Sequence, residues 1–81
     1  MKIVEITRSH NGRRTTIADF QQLVGSSIEL YAQPVNGECM FFNCKAIGGD
    51  VRTSVVKHVV ETDSILAVYT QNSVYYFEKD I

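Results

Sequence analysis

The chain has 81 residues, 44% of them hydrophobic, and eight Lys and Arg against nine Asp and Glu give a net charge of −1. That length supports one domain, residues 1–81, and the composition is too apolar for a disordered chain. Near-neutrality removes any bulk attraction to nucleic acid or acidic lipid, and no apolar run approaches the roughly 20 residues that a membrane span needs.

The neutral total hides a polarity along the chain. Residues 1–14 carry Lys2, Arg8, Arg13 and Arg14 against Glu5, whereas residues 61–81 carry Glu61, Asp63, Glu78 and Asp80 against Lys79. The first stretch also lacks the apolar core of a secretory leader, because Glu5 and Arg8 interrupt it. Two cysteines, Cys39 and Cys44, are too few for a disulfide framework, so a cytoplasmic location is expected.

Residues 2–8 read as a strand with Val4 and Ile6 on one face. The polar run His10-Asn11-Gly12-Arg13-Arg14 reads as a loop. A short helix is predicted next: Thr16 as N-cap with Asp19 three residues on, Ile17, Phe20, Leu23 and Val24 at helical spacing, and Gly25 as a left-handed stop. Two turns of helix cannot stand alone, so this one must pack against a sheet face.

The remainder reads as antiparallel strands. Residues 28–32 alternate, and a type I turn at Pro34-Val35-Asn36-Gly37 pairs Ile28 with Cys44, Leu30 with Phe42 and Ala32 with Met40. All six then share one face. A tight Asn36-Gly37 turn would slip the register by one and exchange the faces. A turn at Gly48-Gly49-Asp50 leads into a strand over 52–61, with either of two neighbouring registers open there. A turn at 61–64 leads to the last hairpin, 65–70 and 73–79, in which Val68 opposes Tyr75 and Leu66 opposes Phe77. Asn72 suits a left-handed turn position between them.

The order is therefore one strand, one helix and five strands: a mainly β (α+β) domain. Six short strands need closure to hide their edges, which predicts a small, bent antiparallel barrel of Src-homology-3-like or OB-like kind. The run Thr53-Ser54-Val55-Val56, followed by Thr70-Gln71-Asn72-Ser73-Val74-Tyr75, resembles a Thr-Ser-x-Val … Thr-x-Asn-Ser-x-Tyr ending. That ending is similar to one found in small uncharacterised proteins of Gram-positive phages and conjugative elements. The resemblance covers residues 53–78. It implies a Src-homology-3-like β fold and a mobile-element origin, and no activity.

Catalytic and metal chemistry find little footing. Cys39 and Cys44 are five apart, which puts their thiols on opposite faces of one strand, and His10 and His58 belong to no HxxxH pair. Ser54, Ser73 and His58 lack a nucleophile elbow, and Gly48-Gly49 lacks the lysine and helix of a phosphate loop. No enzyme, metal or cofactor is expected.

Two binding surfaces remain. The hairpin registers send Tyr31 and Phe41, and likewise Tyr69 and Tyr76, to faces opposite the core positions, and an open aromatic face suits a protein or peptide partner or self-association. The alternative is a nucleic-acid surface in which Arg8, Arg13, Arg14, Arg52 and Lys57 hold phosphates.

Overall fold

The computed structural model describes residues 1–8 and 22–80. Six strands run β1 (Lys2–Arg8), β2 (Ile28–Leu30), β3 (Cys39–Cys44), β4 (Gly49–Glu61), β5 (Ile65–Thr70) and β6 (Ser73–Glu78). They form one antiparallel sheet in the order β1-β6-β5-β4-β3-β2. Residues β2 to β6 are a simple meander, and the first strand adds to the last. The predicted helix lies outside the described residues except for its final turn, residues 22–25, and so do Arg13, Arg14 and the rest of the loop. In that turn Leu23 is buried and Gly25 sits at φ +90, the left-handed position expected of it.

The sheet curls into a half-barrel. The device is β4, which is 13 residues long and serves both halves. Its first half pairs with β3 and its second with β5, and an irregularity interrupts the ladder on each side, near Met40 and near Lys57. Extra residues on one strand raise the local twist and bend it. A third irregularity, at Val4, bends β1 against β6. At one end the two edge strands meet, through a bridge between Lys2 and Ser27 and the hydrogen bond from Ile28 N–H to Met1 C=O at 2.8 Å.

The concave side holds the core. Ile3, Ile6, Phe42, Cys44, Val56, Val68 and Phe77 are fully buried. Phe42 sits at its centre, edge-on to Tyr75 at 6.1 Å and to Phe77 at 5.5 Å. Both hairpin registers follow the hydrophobic pattern: Ile28 opposes Cys44, Leu30 opposes Phe42, Leu66 opposes Phe77 and Val68 opposes Tyr75.

Three local expectations are corrected. First, β2 stops at Leu30, so Ala32 does not pair with Met40 and is exposed. The chain leaves the sheet ahead of Pro34, which offers no N–H to a ladder. The turn closes one residue later than expected, from Glu38 N–H to Val35 C=O at 3.1 Å, with Gly37 at φ +91. Second, the reversal before β4 occupies residues 45–48, with Gly48 at φ +61; Cys44 opposes Gly49 and Asn43 opposes Asp50, which settles the open register.

Third, no described residue other than glycine has a positive φ, so Asn72 is not left-handed. Its turn is held by hydroxyls instead. Thr70 Oγ1 donates to Ser73 C=O at 2.8 Å and accepts from Ser73 N–H at 3.1 Å. Ser54, arriving from β4, donates to Thr70 Oγ1 at 2.9 Å and accepts from Asn72 N–H at 3.1 Å. Next to it, Thr53 Oγ1 accepts from Met40 N–H at 3.0 Å inside the irregular stretch of β4. The polar residues of the two halves of the ending, twenty positions apart, thus form one scaffold around the bend of the barrel.

The charge polarity of the chain becomes a contact. Because β1 pairs antiparallel with β6, Lys2 faces Glu78, and the Met1 amine meets Asp80 at 2.7 Å. Lys79 pairs with Glu61. Among the described residues no helix is long and apolar enough to cross a membrane.

Candidate functional site

Alternation along β3 sets the first surface. Met40, Phe42 and Cys44 point into the core, which leaves Cys39, Phe41 and Asn43 on the convex side. Arg52 is the cross-strand partner of Phe41 on β4, and Tyr31, just past β2, donates its N–H to Phe41 C=O at 3.5 Å. Tyr31 and Phe41 therefore lie across from each other, as the register requires. Tyr31 is 59% exposed, Phe41 48% and the nearby Val35 51%. With Pro34, Glu38 and Cys39 they line a groove of about 460 Å³.

The Tyr31 side chain is anchored. Its hydroxyl donates to Asp50 Oδ1 at 2.5 Å, and Asn43 Nδ2 donates to the same oxygen at 3.2 Å. Asp50 belongs to β4, so Tyr31 reaches over β3 to make this bond. The hydrogen bond to the carboxylate raises the Tyr31 pKa, and the Tyr31 and Asn43 donors lower that of Asp50. A ring that is open to solvent on its face and fixed at its tip is a preorganised contact surface.

The second aromatic pair sits on the other half of the bent sheet. Tyr69 and Tyr76 are half-buried rather than open. Tyr69 packs against His58 on β4, with ring centroids 5.7 Å apart, and Tyr76 hydrogen-bonds with Thr7 and Tyr69. Burial raises the Tyr76 pKa. Ala67, Val74 and Thr7 around them are buried although they face away from the main core. The four aromatic residues thus form two surfaces separated by β4, and only the Tyr31–Phe41 surface is concave and open.

The basic residues do not converge on one strand pair. Arg8 is on β1 opposite Ser73, whereas Arg52 and Lys57 are on β4, two strands away in the sheet order. Arg52 donates to Cys39 Sγ at 3.9 Å. Cys44 is buried, with its thiol 3.4 Å from Ser26 Oγ, and Cys39 is half-exposed; neither is in a disulfide. Among the described residues no three His, Cys, Asp or Glu side chains gather as metal ligands would.

Asp50, Asn43 and Val35 are the groove residues that the sequence did not single out. The register places Asn43 beside Asp50, but no periodicity signals that a tyrosine past the end of β2 spans a whole strand to reach them. No protein-family model matches the chain, and neither does any curated protein or solved structure.

Proposed function

We propose that this chain is a small, non-enzymatic binding module that takes a peptide or protein segment in the Tyr31–Phe41 groove. The observation that carries this reading is the anchored exposure of Tyr31. A soluble surface has little reason to fix an open aromatic ring beside two further exposed apolar side chains unless something docks there. Tyrosine at such a site buries its ring on contact and keeps its hydroxyl satisfied.

The half-barrel itself is read as Src-homology-3-like. Support comes from its short strands, the long bent β4, and the pairing of first strand with last. The resemblance of residues 53–78 favours an accessory role in a mobile element, and two free thiols suit the reducing cytoplasm. Dispersal of Arg8, Arg52 and Lys57 gives the nucleic-acid alternative less support.

Selection from a random peptide library on the immobilised protein tests the groove. The expected result is a set of peptides whose binding is lost in the double variant Tyr31→Ser, Phe41→Ser, with the thermal transition unchanged within a few degrees. Peptides retained equally by the double variant, or none selected, would refute the reading.

A further inference from the structure

The groove has an electrostatic direction, and this bears on what it binds; the inference rests on the binding reading above. At the Tyr31 end, Asp50 uses only Oδ1 for its two internal donors, and its Oδ2 accepts no hydrogen bond from a described residue. Glu29 acts on the same tyrosine through its charge, and Glu38 lines the groove. Neither Glu29 nor Glu38 is ion-paired with a described residue. The one cation at hand, Arg52, lies at the Cys39 end. Three carboxylates against one guanidinium leave a negative site beside an open aromatic ring.

We propose that the groove binds an arginine side chain of a protein partner, its guanidinium lying on the Tyr31 ring with its N–H groups on Asp50 Oδ2. Arginine fits better than lysine. A planar guanidinium covers an aromatic face while its edge donates to a carboxylate, and it is weakly hydrated, so it surrenders little water on docking. The apolar wall of Pro34, Val35 and Phe41 takes the partner's neighbouring side chains. An acidic or phosphorylated segment would meet like charge there and be rejected.

Three probes separate the possibilities: N-acetyl-arginine methylamide, its neutral citrulline counterpart, and N-acetyl-leucine methylamide, each titrated into the ¹⁵N-labelled protein and followed by amide shifts. The arginine probe should move Tyr31 and Asp50, with an affinity about three- to tenfold above the citrulline probe, as expected for an exposed cation–π contact plus an exposed ion pair. Asp50→Asn keeps an acceptor for the Tyr31 hydroxyl and should abolish that difference. Equal binding of arginine and citrulline would overturn the inference. Binding of the leucine probe alone would overturn it too and leave the groove reading standing, whereas no shift from any probe would remove both. Concentration-dependent self-association lost in Phe41→Ser would assign the surface to a second copy and also overturn it.

Discussion

Phe41 and Phe42 are adjacent in sequence and opposite in fate, so truncating each tests the register of the β2–β3 hairpin and with it the existence of the groove. Phe42 is fully buried and edge-on to both Tyr75 and Phe77. Phe42→Ala removes a whole core ring and leaves a cavity between two aromatic neighbours, at a cost of about 3–5 kcal/mol. A chain of this length has a total stability of about 4–12 kcal/mol, so that variant is at the edge of folding. Phe41 keeps nearly half its surface in water, so Phe41→Ala forfeits about half a buried side chain, roughly 1 kcal/mol. Urea unfolding followed by circular dichroism measures both. At this size each kcal/mol moves the melting temperature by about 4–8 °C, so Phe41→Ala should melt within about 8 °C of the parent. Since Phe42→Ala may not be recoverable as a folded protein, the leucine pair serves as control: Phe42→Leu should cost about 1–2 kcal/mol and Phe41→Leu less than about 0.5 kcal/mol. Equal losses at the two positions, or a larger loss at Phe41, would mean that the faces are exchanged and would refute both the register and the groove.

Three further outcomes follow from the hydrogen bonds and burial. Thr70→Val strips the acceptor from Ser73 N–H and a partner from Ser54 in a buried turn, and should destabilise by about 2–3 kcal/mol, measured by the same unfolding assay; a loss below about 0.5 kcal/mol would show that the hydroxyl scaffold is dispensable. Absorbance titration at 295 nm, as the difference between the protein and Tyr31→Phe, should place Tyr31 above the ordinary 10.0, and Asp50→Asn should lower it. Because the folded pKa is raised, the protonated tyrosine contributes stability below pH 10 that is lost as pH rises through the folded value; a Tyr31 pKa at or below 10.0 would contradict the bond to Asp50. A thiol reagent should modify Cys39 in the native protein and Cys44 only on unfolding, so one equivalent reacts before denaturant and two after; two fast thiols would place Cys44 outside the core.

Legibility tracked periodicity. In the last hairpin, Leu66, Val68, Tyr75 and Phe77 alternate cleanly, and a one-residue slip would have put four large side chains in water, so the register could be read directly. The same logic found Phe42 inside and Phe41 outside. It failed at Ala32, where alternation continues past the point at which Pro34 draws the chain away, and at Asn72, whose turn is shaped by Ser54 from another strand. The candidate site was half legible: the two aromatic residues followed from the register, while their anchoring on Asp50 did not.

The sequence by itself determined the strands and which side chains face inward, because those depend on neighbours one or two residues away. It also carried the offset between a basic beginning and an acidic end. Only the tertiary structure decided that these ends lie side by side, since that follows from β1 pairing with β6 across some seventy residues. It likewise decided that the outward aromatic residues divide into a half-buried pair and an open groove. That division depends on the bend of β4, where buried hydroxyls, rather than any apolar pattern, set the curvature.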